Sequence, residues 1–185
     1  MSEATGEIWD RVSVPDAAGA VVRHVEGLRR APYQDSAGVW TIGYGSTRGA
    51  GGVPVSPATP PIDEPTARAW QMRDMAGAAA DVARFVTVPL LIREAAALMS
   101  FDYNEGPDQL GGSTLLRELN RGDKGSVSAQ LRRWVYAGGE VLLGLVRRRW
   151  AEAAIFVGVD PRTALTRAWC EIEGVGDWPA FEVAS

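Results

Sequence analysis

The chain has 185 residues, 46% hydrophobic and 23% charged, with a net charge of −4. That is long enough for one domain with a sizeable core, and the balance is that of an ordinary globular protein. Lys124 is the only lysine among the basic residues, and the acidic balance argues against a nucleic-acid partner. Cys170 stands alone, which excludes an intrachain disulfide. With His24 the sole histidine and no EF-hand loop, neither a metal nor an organic cofactor is expected.

In chain order, "MSEATGEIWDRVSV" has neither a basic start nor an apolar core, so no secretory signal is expected. The run "AAGAVV" is too short to span a bilayer. From Asp16 to about Glu26, Val21, Val25 and Leu28 recur at helical spacing, predicting a short amphipathic helix that Gly27 stops. "APYQDSAGVWTIGYG" reads as strand, turn, strand. "GSTRGAGGVPVSPATPP" is loop chemistry, with a short third strand expected near Val53 to Val55.

Beyond Pro61 the patterning is helical. "IDEPTARAWQMRDMAGAAADVARFV" carries an apolar row at Met75, Ala78, Val82 and Phe85 and is long enough to bridge two lobes. Further helices are predicted at "LLIREAAALMSFDY", at "STLLRELN" with Ser113 as N-cap, at "SVSAQLRRWVY" and at "LVRRRWAEAAIFV". The segment from Val159 is less patterned, but Trp169, Trp178 and Phe181 imply that it packs back. Trp40, Trp134 and Trp150 read as core. The fold class is α+β, mainly α. A small β lobe (about 26–61) is joined by a connecting helix (62–85) to a larger helical lobe (86–185), with helix 16–26 packing between the lobes.

The candidate chemistry sits in "EGLRRAPYQDSAGVWTIGYG". A type I turn at "DSAG", with Gly38 left-handed, gives a loop of Ser36, Ala37 and Gly38 and sets Asp35 opposite Val39. Thr41 then shares a face with Asp35 as its diagonal neighbour, roughly 7–8 Å away, leaving room for about one water. Glu26 ends a helix beside Val25 and Leu28, where the macrodipole and desolvation both favour the protonated carboxyl. Asp35, on an exposed hairpin edge, is expected to stay ionised. Two carboxyl groups held in opposite protonation states suit hydrolysis of a glycosidic bond. Two other motifs fail. "GYGSTRG" lacks the glycine spacing of a phosphate loop, and His24 has no G-x-S-x-G partner for a triad, leaving it a surface or lobe-packing role.

"EGLRRAPYQDSAGVWTIGYGST" resembles the phage-type lysozymes, or endolysins, of glycoside hydrolase family 24. "SFDYNEG", "STLLRELNRGD", "RRWVYAGG" and "LGLVRRRWAEAAIFVG" are similar to successive segments of that family's helical lobe, so about residues 15–158 are covered. The resemblance implies a lysozyme-like two-lobe fold and a catalytic set of Glu26, Asp35 and Thr41. Glu26 would protonate the oxygen between N-acetylmuramic acid and N-acetylglucosamine, and Asp35 and Thr41 would hold the attacking water, with inversion. It also implies that Tyr44, Tyr103, Asn104, Ser113, Thr114 and Arg148 contact substrate. Helix packing and capping is the competing reading for Tyr103, Asn104, Ser113 and Thr114.

Of Arg147, Arg148 and Arg149, Arg148 is favoured as the partner of Glu26, because only one of three consecutive helical residues can point at the cleft. The other reading of the run is a solvated basic face. Bacterial peptidoglycan is the implied partner. The implied protein is a monomer without stable membrane association, which accumulates in the host cytoplasm and reaches the periplasmic wall through a separate holin. Competing readings are a wall-binding or tail-associated structural protein with weak or lost catalysis, and a lytic transglycosylase. The chain departs from the family pattern at Ser46, where histidine is common and takes part in an ion pair. It also departs in its Pro- and Gly-rich loop and in its acidic balance.

Overall fold

The computed structural model describes residues 6–35 and 38–182. Ser36 and Ala37 of the predicted turn lie outside the described residues. Helix α1 (Asp16–Glu26) buries Ala18, Val21 and Val22, as its apolar spacing predicts. Gly27 ends it, its amide donating to Arg23 O at 3.1 Å. The chain then enters an antiparallel hairpin of β1 (Arg29–Gln34) and β2 (Trp40–Gly43), in which Tyr33 pairs with Thr41 and Gln34 with Trp40. The register slips between Arg29 and Tyr33, the stretch that contains Pro32. Proline has no amide to donate to the ladder there.

The predicted third strand does not form. Residues Ala50–Gly52 make a single 3-10 turn, and only an isolated bridge joins Arg48 to Pro54, which cannot extend a ladder. Arg73 staples this loop to the next helix, donating to Gly49 O at 2.8 Å and Arg48 O at 2.6 Å.

Helix α2 (Glu64–Phe85) starts where Asp63 accepts the amide of Thr66 at 2.9 Å, and it buries Met75, Ala78 and Val82. Helix α3 (Ile92–Glu105) is buried without a break from Glu94 to Asp102 and packs against α1 and α2. A helix buried on every side lies at the centre of a core, and α3 takes the polar Glu94, Ser100 and Asp102 inside with it. The short helices α4 (Pro107–Gly112), α5 (Thr114–Asn120) and α6 (Val127–Leu131) follow. The helix predicted through Tyr136 stops at Leu131. Gly138 and Gly139, with φ of 61° and 86°, instead turn the chain into a second hairpin, β3 (Tyr136–Ala137) and β4 (Glu140–Val141).

Helix α7 (Leu143–Val157) packs on α3. A further helix, α8 (Pro161–Glu171), forms in the segment that showed little pattern; Asp160 caps it through the amide of Thr163 at 3.0 Å. The tail does pack back. Trp150 Nε1 donates to Pro179 O at 2.8 Å, and its ring lies 5.4 Å from that of Phe181. Trp169 of α8 meets exposed His24 edge-on at 4.4 Å, so that histidine serves α1–α8 packing. Trp150 is fully buried, whereas Trp40 and Trp134 are only half-buried. At the other end, Trp9 is buried and Ile8 bridges to Leu91, tying the first described residues to the α2–α3 connection. Among the described residues, no helix is long and apolar enough to cross a membrane.

Candidate active site

Glu26 is the last residue of α1, with its side chain one-third exposed. Its Oε1 lies 3.3 Å from Nη1 of Arg148, which α7 brings in as a wholly buried side chain. Arg148 is itself held on two further sides. Its Nη2 donates to Ser100 O at 3.1 Å, and its Nε donates to Glu152 Oε1 at 3.3 Å. Glu152 has no exposed surface. It also accepts from Ser100 Oγ at 2.7 Å and from Arg149 Nη1 at 2.6 Å. Arg149 continues the network to Asn104 Oδ1 and, at 3.3 Å, to Glu105, while its guanidinium lies over the Phe101 ring. Arg148 and Arg149 are therefore both buried, and neither belongs to a solvated basic face. Only Arg148 reaches Glu26. Arg147 instead turns to Ile172 O at 3.0 Å.

The first hairpin carries the other two candidate groups. Asp35 N donates to Val39 O and Gly38 N to Asp35 O, both at 3.0 Å, and Gly38 has φ of 77°, as a turn ending in a left-handed residue requires. One carboxylate oxygen of Asp35 accepts the Val39 amide at 2.8 Å, so the turn aims the group. Because Tyr33 pairs with Thr41, the side chains of Tyr33, Asp35 and Thr41 share one face. Thr41 is buried, and its hydroxyl donates to Val39 O at 3.1 Å.

Two tyrosines stand within electrostatic reach of these groups. Burial, then the charge of Glu26, raises the Tyr33 hydroxyl above its ordinary range; Asp35 adds to this and Arg29 opposes it. Burial, followed by the charges of Asp74 and Glu26, raises Tyr103 as well. The Tyr103 hydroxyl donates to Tyr44 O at 3.5 Å, linking α3 to the hairpin lobe near the acid. Tyr44 is buried, with its own hydroxyl 3.4 Å from Glu64 of α2.

The remaining predicted contacts divide. Asn104 is exposed beside the Arg149 network. Ser113 is buried and caps α5, accepting the Leu116 amide at 2.9 Å and donating to Leu110 O at 2.8 Å. Thr114 accepts from Arg117 at 2.7 Å and lines a groove of about 240 Å³ with Gln130, Arg133 and Trp134. Ser46 is buried with its hydroxyl unpartnered, so no ion pair occupies that position. Among the described residues, no three histidine, cysteine or acidic side chains gather as a metal site.

Tyr33, Ser100, Arg149 and Glu152 were not singled out from the sequence. Tyr33 left a signal there, standing two residues before Asp35 on the same strand face, and Glu152 left one at i+3 and i+4 from two of the three consecutive arginines. Ser100 reaches Glu152 from α3 across 52 residues of chain, and Asn104 reaches Arg149 across 45.

A small β-hairpin lobe joined by a long helix to a larger helical lobe, with Glu26 at a helix end and Asp35 and Thr41 on the hairpin, is the architecture of a lysozyme-like glycoside hydrolase. The Phage lysozyme family profile matches residues 23–152. The SAR-endolysin of Bacteriophage PS119 is 38% identical over 128 residues, covering 69% of this chain and 74% of that protein. Two solved structures are similar. The endolysin from Escherichia coli O157:H7 phage FAHEc1 has a TM-score of 0.71 at 30% identity, covering 78% of this chain and 93% of that one. A P22 lysozyme variant has a TM-score of 0.72 at 27% identity, covering 79% and 99%. The chain belongs to the phage lysozyme family, the muramidases with which phages lyse the host cell wall.

Proposed function

We propose that this endolysin hydrolyses the β-1,4 bond between N-acetylmuramic acid and N-acetylglucosamine with inversion, Glu26 acting as general acid and Asp35 with Thr41 as the water-holding pair. The observation that carries this reading is the hairpin register, which sets Thr41 on the face of Asp35 while Glu26 ends the neighbouring helix. Asp35 orients the water and takes its proton, and the Thr41 hydroxyl accepts a hydrogen bond from it. Glu26 gives its proton to the departing sugar oxygen. The charge left on Glu26 then develops beside Arg148, which stabilises it. An inverting site needs its carboxyl groups roughly 6.5–9.5 Å apart so that water fits on the far side of the sugar.

Tyr103, Asn104 and Thr114 are proposed to contact the sugar directly. Tyr44 and Ser113 support the site from beneath, consistent with their burial. The protein is further proposed to act as a monomer that starts in the host cytoplasm and reaches the wall through a holin lesion. Lysis of induced cells with and without a co-expressed holin checks that step.

Glu26→Gln keeps the shape of the acid and removes its proton, so wall clearing on permeabilised cells should fall by at least about 10²-fold. Clearing equal to that of the unaltered protein overturns the role of Glu26. Proton NMR of fresh digests should show the α anomer at new reducing ends. A β anomer defeats inversion, and 1,6-anhydro sugars defeat hydrolysis.

A further inference from the structure

A second groove lies between the β3–β4 hairpin and the C-terminal tail, apart from the catalytic groups. It holds about 480 Å³ and is lined by Arg132, Arg133, Tyr136, Trp178 and four valines. That volume lies within the ~300–1,000 Å³ range of small-ligand sites. Its tail wall is held in place. Arg132 lies 5.3 Å over the Trp178 ring and donates to Gly176 O at 3.3 Å, and Trp150 anchors Pro179 just beyond. Trp178 and Val175 lie past the 23–152 stretch matched by the family model.

The groove carries positive charge. The buried arginines Arg148 and Arg149 are neutralised by Glu26, Glu105 and Glu152. Arg133, by contrast, donates only to the neutral amide of Gln130 at 3.2 Å, and Arg132 only to a backbone carbonyl. Neither makes an ion pair among the described residues. In a protein of net charge −4, two adjacent guanidinium groups without carboxylate partners form a local positive spot. The tail's acids make no ion pair with either arginine: Asp177 accepts the amides of Glu173 and Gly174, and Glu171, Glu173 and Asp177 line a neighbouring groove that shares Trp178 with this one.

The ligand class follows from the substrate proposed above, on which this inference rests. The glycan backbone of peptidoglycan is uncharged, and its carboxylates and alanine methyl groups hang on the stem peptides. Arg133 lines both this groove and the smaller one beside Thr114, so a peptide hung from a sugar near Thr114 passes Arg133 on its way in. We propose that the groove between the second hairpin and the tail binds the carboxylate-bearing stem peptide, with Arg132 and Arg133 holding a carboxylate and the valine floor receiving methyl groups. Guanidinium groups suit carboxylates because their paired N–H donors match the two oxygens.

Calorimetric titration of the free stem tripeptide into the full chain tests this, beside the same tripeptide with its carboxylates amidated. The acid form should bind about tenfold more tightly than the amide, the size of one charge-assisted hydrogen bond. Arg133→Gln should lose about tenfold with an unchanged melting temperature, since Arg133 is exposed. Tyr136→Ser gives a second check on the opposite wall. Equal binding of acid and amide, an unaltered affinity in Arg133→Gln, no binding at millimolar peptide, or tighter binding of a glycerol phosphate oligomer overturns the proposal. The probe contains no glycosidic bond, so its result is independent of the catalytic assignment: a chain that clears walls but ignores the tripeptide defeats only the groove.

Discussion

Glu152 touches no exposed surface, yet it decides where two guanidinium groups point. It holds Arg148 on one side and Arg149 on the other, leaving one face of Arg148 for Glu26. Removing one partner of a buried ion pair leaves the other charge uncompensated, at a cost of about 3–5 kcal/mol. Glu152→Gln should therefore lower the melting temperature by roughly 10 °C. Lysis should also fall at temperatures where the variant is still folded, because Arg148 is no longer oriented. Calorimetry and clearing assays at one temperature read the two effects separately, and full activity in the folded variant would show that Arg148 needs no second anchor. The pairing of Arg148 and Arg149 with Glu152 follows from their spacing on one helix, but the contacts of Arg148 with Ser100 and Glu26 do not, since those residues arrive from other helices.

The β1–β2 hairpin shows how far local chemistry reaches at the scale of an element. Asp at the start of a turn and Gly at its left-handed end are backbone requirements, so the register and the shared face of Asp35 and Thr41 follow from a few adjacent residues. Gly38→Ala places a Cβ at φ of 77° and should cost about 1–2 kcal/mol. If the turn rearranges to relieve this, Asp35 moves from its face, and turnover should fall more than stability does. A variant with unchanged turnover would show that the turn does not aim the carboxylate. Elsewhere the same local reading fails for stated reasons. Pro54 blocks the third strand, and the pair Gly138–Gly139 turns the chain where apolar spacing suggested more helix. Helix α8 escaped notice although Asp160 and Pro161 mark its start and its buried residues Ala164, Leu165 and Ala168 keep helical spacing, because two of those three are alanines, which make a weak apolar row.

Across the whole molecule, α3 is the element that everything else must fit, and Asp102 is a titratable group inside it. The carboxyl is buried, with Oδ1 lacking a hydrogen-bond partner. Burial, aided by the charge of Asp81 and opposed by Arg84, raises it from 3.8 to about 7. A carboxyl raised on folding retains its proton longer in the native state than in the unfolded chain. Its contribution is therefore fully present below about pH 4 and is lost as pH rises through about 7. Asp102→Asn cannot ionise and should be more stable than the unaltered protein at pH 8, by about 2 kcal/mol, with the two converging only below about pH 4. Melting curves across that range check this; parallel pH profiles would mean that Asp102 ionises freely in the folded state.

What the sequence determined by itself is whatever depends on neighbours along the chain: where α1 stops, how the hairpin turns, and which short run carries Glu26, Asp35 and Thr41. These follow from dihedral preferences and from the periods of helix and strand, which act over a few residues. Only the tertiary structure decided that two of three consecutive arginines are buried, that Arg148 reaches Glu26, and that the tail closes a groove against the second hairpin. Those outcomes depend on which helices meet. A buried charge needs its hydrogen bonds and counter-charges completed, and while Glu152 is local to Arg148 and Arg149, nothing local specifies that Ser100, Asn104 and Glu26 will be there.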